Sequence, residues 1–348
     1  MTKTPLPRIG LTLGDVAGIG PEVTARAICD AQVRATCQPI VIGHPRILNE
    51  ALELIRPHVA SVPPVQEIHS LKEIDTNDSP IYCFNPAGDE VLAAPRNQFN
   101  AAAGKASYDY LLAAIRGAQA GTIDGITTAP LAKASLHLAG INYPGHTEIL
   151  AKECGVDEFA MMLYLPPGEQ VRGINGLAVS HVTLHTSIKS VPDLLSVDSI
   201  YGKIGLTYRF MQAQGVVDPR IAVCALNPHG GEEGLFGNEE SELIAPAIER
   251  AREEFGTSVT GPFPTDTMMK RAIRDGEFDG VVAMYHDQGH IAIKLVAFDT
   301  AVNVTLGLPI VRTSPSHGTA YDIAWQGTAR ADGMITAIQV AANLAKIN

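Results

Sequence analysis

Residues 284–319 read MYHDQGHIAIKLVAFDTAVNVTLGLPIVRTSPSHGT and gather His286, Asp287, Lys294, Asn303, Arg312 and His317 into an otherwise apolar stretch. GVVAM (280–284) precedes it, a short apolar run of the length of a buried strand. A His-Asp pair just past the carboxyl end of such a strand stands where open α/β sheets place their ligands. NVTLGLPIVRTS is rich in Val, Thr and Ile and broken by Gly and Pro, which predicts two strands joined by a turn. Lys294, Asn303 and Arg312 recur at equal intervals. That interval suits three successive elements facing one pocket better than one helical face, because polar groups that interrupt apolar strands need partners. The alternative is an exposed loop with ordinary surface charges.

Upstream, short apolar runs alternate with helical patterns. RIGLTL (8–13), PIVIG (39–43), PIYCFN (80–85) and GITTAP (125–130) read as strands; PEVTARAICDAQ, ILNEALELI and residues 97–120 read as helices. Residues 58–79 read as a polar, proline-containing loop with one short strand. This alternation predicts parallel βαβ units. The glycine-rich turn GDVAGIGPE (14–22) is either a plain strand-to-helix turn or a backbone cradle for an anion, and it matches neither GxGxxG nor the lysine-bearing P-loop. GHTE (145–148) opens a helix, with Thr147 as its candidate cap and His146 at its entry. AMMLYL (160–165), GLAVSHVTL (176–184) and RIAVCAL (220–226) are further strands; residues 238–256 form the clearest amphipathic helix, with Asn238 as its cap. No repeat, low-complexity run or linker interrupts the chain, so any division into domains is tight.

With 348 residues, 46% of them hydrophobic and 18% charged, the chain is long enough for two well-buried domains. A net charge of −11 argues against general nucleic-acid binding, which needs a basic stripe, but leaves room for a local cationic pocket. No uninterrupted apolar run reaches the roughly 18 residues of a membrane span, and MTKTPLPRIGLTLGD (1–15) has no long apolar core, which predicts no signal peptide. Five cysteines, odd in number and without CxxC pairing, suit reduced thiols and a cytoplasmic location.

His181, His229 and His286 each follow an apolar strand candidate and precede a turn. Neutral imidazoles suit Zn²⁺ and related ions, and three protein ligands with a vacant position make a catalytic site; the other reading is three structural histidines at strand ends. Asp266 and Asp287 could serve as extra ligands, as orienting carboxylates or as proton carriers. Lys294, Asn303 and Arg312 then suit an anionic substrate, with Arg312 able to hold a phosphate or carboxylate by two parallel hydrogen bonds.

GDVAGIGPE, GHTE, SHVTL, LNPHGGE, PTDT, AMYHDQGH, NVTLGLP and RTSPSHGTAYDIA occur in an order that closely resembles the 4-hydroxythreonine-4-phosphate dehydrogenase family of pyridoxal phosphate synthesis. The resemblance implies two α/β/α domains with a cleft between them, as in the isocitrate and isopropylmalate dehydrogenases. It divides the chain into residues 1–130 plus 311–348 and residues 131–310, the latter carrying metal ligands and dimer contacts. It further implies NAD or NADP, a divalent metal (Zn, Mg or Co), and a homodimer whose active site is shared between subunits. His181, His229 and His286 would be the metal ligands. His146, Thr147, Lys294, Asn303 and Arg312 would contact substrate, and Lys294, Asp266 or Asp287 would move protons. The implied reaction is oxidation of 4-phosphooxy-L-threonine to the 3-oxo acid, which decarboxylates to 3-amino-2-oxopropyl phosphate. D-threonate or D-erythronate 4-phosphate is the alternative substrate; a metal-dependent hydrolase and a phosphate-binding module are alternatives of other classes. Three residues depart from the family pattern: Val16 replaces a proline, which is expected to loosen the first turn, and His185 and His290 add imidazoles near the proposed ligands.

Overall fold

The computed structural model describes residues 5–75, 80–143 and 145–346. The chain divides into two compact units, Met1–Asp157 together with Leu308–Asn348, and Glu158–Gly307. In the first, β1 (Arg8–Thr12), α1 (Gly20–Cys29), α2 (Ala31–Thr36), β2 (Gln38–Ile42), α3 (Pro45–Ile55), β3 (Val65–Ile68) and β4 (Ile81–Phe84) come in succession. Then follow α4 (Ala101–Gln119), β5 (Gly125–Thr128), α5 (Lys133–Leu138) and α6 (His146–Cys154). The second unit begins with β6 (Ala160–Leu165), β7 (Leu177–His181), α7 (Val191–Leu194), α8 (Val197–Ala213) and β8 (Ile221–Cys224). It continues through α9 (Ala245–Phe255), β9 (Val259–Phe263), α10 (Thr265–Ile273), β10 (Gly280–Ala283), α11 (His286–Ala297) and β11 (Val302–Leu306). β12 (Arg312–Pro315) and α12 (Asp332–Ala345) return the chain to the first unit.

Strands of the first unit lie in the order β3-β4-β2-β1-β5-β12, every neighbouring pair parallel. Those of the second lie in the order β11-β6-β7-β10-β8-β9. There the first two pairs are antiparallel and the remaining three parallel. The expected parallel βαβ units are found in the first unit, while the second has a mixed sheet. A short connection between β6 and β7, turned by Gly176 at φ +75, can join antiparallel neighbours but is too short for a parallel crossover.

Both faces of the second unit's sheet are covered. Val281 and Ala283 of β10, with Ala222 and Cys224 of β8, pack among Met268, Ile273 and Ile293 from α10 and α11. Val282 and Met284, with Ile221 and Val223, pack on the opposite face among Ile200, Ile204 and Ile248 from α8 and α9. Alternate residues of one strand thus feed two cores, as the two-residue side-chain period requires. This is why these runs read as continuously apolar instead of alternating.

Several expectations change. The first boundary falls at Asp157, and α5 and α6 belong with the first unit. α5 approaches α4 so closely that a Cβ at Gly104 would overlap the Ser135 carbonyl. The stretch after Cys29 is a separate helix, α2, because the Asp30 side chain accepts from Gln32 N and Val33 N and restarts the chain. Asn238 makes no side-chain cap; a π-turn over Glu240–Ile244 precedes α9. Val16 does not loosen its turn. It is fully buried, and its carbonyl accepts from Arg96 Nη1 and Trp325 Nε1, each at 2.9 Å. The short strand in the 58–79 loop is β3, while residues 76–79 lie outside the described residues. Among the described residues, no helix is long and apolar enough to cross a membrane. All five cysteines are free thiols.

Gly104→Ala tests the α4–α5 approach. Alanine favours a helix by roughly 1 kcal/mol over glycine. The new methyl group has backbone in its place, so we expect net destabilisation of about 2 kcal/mol. A lower urea midpoint checks the sign; a raised one would place α5 away from α4.

Candidate active site

In the first unit, β12 pairs with β5 and brings Arg312 opposite Ile126. The Arg312 side chain is 2% exposed, and its Nη2 donates to Thr128 Oγ1 at 2.8 Å. Burial pulls the guanidinium down to about 10, and the Glu148 carboxylate only partly opposes that. An anion brought to this group would offset the cost of burying it. His146 is the first residue of α6 and stands close enough for Arg312 to act on it. Burial first, then the Arg312 charge, holds its imidazole well below the ordinary value, with the Ala129 carbonyl opposing. Thr147 is not the cap. Gly145 occupies that position without a side-chain hydrogen bond, and Thr147 sits inside the first turn. Its expected capping role fails because the helix starts at His146, two residues earlier than a cap at Thr147 would place it.

In the second unit, β7 and β10 pair in parallel with His181 opposite Ala283. His181 ends β7, and His286 begins α11 three residues beyond its partner strand. Their rings lie 6.3 Å apart, and His290, one helical turn on, stacks on His286 at 3.8 Å. His185 also comes within 6.3 Å of His286. His181 is 3% exposed; burial first, then His290 and His286, keeps it well below the usual imidazole value, while the Met161 carbonyl opposes. Asp287 Oδ1 lies 2.6 Å from His286 Nδ1. A carboxylate can only accept, so Nδ1 donates to it, the arrangement by which carboxylates orient metal-binding imidazoles. Lys294, a further turn along α11, stands close enough to His290 to help depress it to about 4, after burial and His286. Asn303, on β11, has a buried Oδ1 that no described residue satisfies. Leu184, His185, Val191, Tyr285, His286 and Asp287 line a cavity of about 570 Å³.

His229 stands apart from this cluster. It lies in a loop, Pro228–Gly234, where six successive residues take positive φ, His229 itself at 54°. Non-glycine residues there cost about 1 kcal/mol or more each. The buried Glu240 carboxylate holds the loop's base by accepting from Leu226 N at 2.8 Å and Asn227 N at 2.7 Å. With Asp266, Thr265, Tyr285 and Gln288, His229 lines a second cavity of about 480 Å³, and Tyr285 borders both. Sequence reasoning missed Glu240, Tyr285 and Gln288. Gln288 bridges two strand ends, accepting from Met284 N and donating to the Ala225 carbonyl, each at 2.7 Å. The only signal for it was its place in the YHDQG motif; Glu240 had none among its acidic neighbours.

The donor set is chemically suited to a divalent cation, since neutral imidazoles are preferred ligands of zinc-like ions. The fit is partial within one chain: His181 and His286 converge. Among the described residues, no group of three His, Cys, Asp or Glu is placed to hold an ion.

Comparison with known proteins gives this geometry its setting. The sequence pattern of the pyridoxal phosphate biosynthetic protein PdxA matches residues 35–341. The chain is 43% identical over 344 residues to a 4-hydroxythreonine-4-phosphate dehydrogenase of Desulfosudis oleivorans, covering 97% of this chain and 96% of that one. It is 41% identical over 345 residues to a D-threonate 4-phosphate dehydrogenase of Cupriavidus necator, covering 98% of both. A crystal structure of a 4-hydroxythreonine-4-phosphate dehydrogenase from Burkholderia phymatum superposes with a TM-score of 0.80 at 41% identity, covering 98% of this chain and 99% of that one. An α/β chain with these relatives is an oxidoreductase, not the hydrolase that three histidines alone would also allow. It belongs to the family of the pyridoxal phosphate biosynthetic protein PdxA.

The depressed His146 gives a pH test. Its folded value lies below that of the unfolded chain, near 6.5, so the unfolded chain binds the proton first. Stability is then lost as pH falls below about 6.5 and levels off under the folded value. Comparing urea midpoints at neutral and mildly acidic pH, His146→Gln should lose less than wild type; equal losses would remove His146 as a group held neutral by the fold.

Proposed function

We propose that this chain oxidises the secondary hydroxyl of a phosphorylated β-hydroxy acid, with NAD or NADP as the hydride acceptor, and that the resulting 3-oxo acid loses CO₂. The preferred substrate is 4-phosphooxy-L-threonine, giving 3-amino-2-oxopropyl phosphate. D-threonate or D-erythronate 4-phosphate is the second choice, supported by relatives of similar identity that bear a D-threonate 4-phosphate dehydrogenase name. The observation that carries the reading is Arg312, a buried guanidinium beside His146 and the first turn of α6. A planar fork, a ring N–H and free helix N–H groups are together a phosphate's natural partners.

In this reading Arg312, His146 and Thr147 hold the phosphate end. Asn303 turns its unsatisfied carbonyl oxygen to a substrate hydroxyl or ammonium. A divalent metal (Zn, Mg or Co), when bound by His181, His229 and His286, supplies Lewis acidity at the reacting oxygen. Asp287 holds the His286 ring in its ligating tautomer. Lys294, Asp266 or Asp287 takes the hydroxyl proton; Lys294 is favoured by its place on the His286–His290 face of α11. His181 and His286 are neighbours in one chain and His229 is not with them, so we assign the third imidazole to a second copy in a homodimer.

Two measurements test this. Appearance of reduced nicotinamide with each substrate, at matched concentrations, should favour 4-phosphooxy-L-threonine at least tenfold in kcat/KM, about 1.4 kcal/mol; the reverse order would move the chain to sugar-acid oxidation. Co-expressing His229→Ala with His286→Ala chains should restore activity that neither shows alone. Random pairing makes about half the dimers mixed, each with one whole site, so recovery approaches roughly a quarter of wild type. A purified mixed dimer as inactive as its parents would put all three ligands in one chain.

A further inference from the structure

His290 is buried, 6% exposed, and has no place in the chemistry above. Its Nδ1 lies 3.2 Å from the His286 carbonyl oxygen and 3.1 Å from His181 Nε2. A carbonyl oxygen only accepts, so Nδ1 carries a hydrogen and shares it between the two. His181 must then be the acceptor at Nε2, and its own proton sits on Nδ1. α11 passes close to the same nitrogen: a Cβ at Gly289 would overlap His181 Nε2. The lone pair that His181 needs for coordination is therefore already engaged.

The geometry points to His290 as a placeholder that competes with the metal for His181. In the metal-free chain its N–H satisfies a buried acceptor that would otherwise cost free energy. When the ion binds, the same N–H falls back on the His286 carbonyl, one helical turn behind it, so the exchange leaves no buried donor stranded. His290 accordingly stabilises the empty site and weakens metal affinity. This rests on the reading of His181 as a ligand.

The test is a cobalt(II) titration of the metal-stripped full-length protein, followed by visible absorption and by competition with a chromogenic chelator. His290→Leu and His290→Ala both remove the donor; if one fails to fold, the other serves. His290→Asn keeps an amide N–H near the Nδ1 position. We expect the two apolar variants to bind cobalt roughly two- to tenfold more tightly than wild type, the range of one neutral hydrogen bond. The asparagine variant should stay within about twofold of wild type. Weaker binding by the apolar variants would make His290 a ligand, and unchanged binding would make it filler; either overturns the proposal. His181→Ala separates the two levels: if it binds cobalt as wild type does, the ligand assignment itself falls, whatever the His290 variants do.

Discussion

The parallel pairing of β7 with β10 is the constraint on which the imidazole cluster depends. With His181 opposite Ala283, the last residue of one strand is level with the end of its neighbour, and the chain leaving β10 turns at once into α11. A slip of one residue would turn His181 to the other face of the sheet, among the apolar residues of α8 and α9. The register is fixed because β10 feeds Val281 and Ala283 into one core and Val282 and Met284 into the other. Packing on both faces thus sets the position of the chemistry at the strand end.

Electrostatics differs between the two units. Around Arg312 and His146, burial costs a cation its solvation and keeps an imidazole neutral, which leaves a cationic donor set suited to an anion. Around His181, His286 and His290, imidazoles are crowded together with Lys294 nearby, and burial first, then the neighbouring imidazoles, hold His181 and His290 below the ordinary imidazole value. Crowded neutral bases suit a cation; a buried guanidinium suits a phosphate.

The His229 loop adds a third element, held in a costly conformation by Glu240. Left-handed residues in series persist only where neighbouring bonds fix them. Here Glu240, with Glu239 accepting from the Asn227 side chain, fixes the base of the loop, which leaves the exposed imidazole beside Asp266 and the cavity they share.

The sequence by itself determined the α/β class, most strands and helices, and the candidate residues for chemistry, because each is a local matter. Apolar runs, glycine and proline punctuation, and polar residues at strand ends are visible within a few positions. The motif order likewise pointed to the family before any fold was known. What only tertiary structure decided was association. That β6 and β7 run antiparallel, that α5 and α6 join the first unit, and that Val16 is tied by Arg96 and Trp325 all depend on contacts between residues far apart in the chain. The same holds for His290. In sequence it is one more histidine after a motif; in the fold its ring nitrogen meets that of His181, 109 positions away, and hydrogen bonds at that separation leave no trace in local pattern.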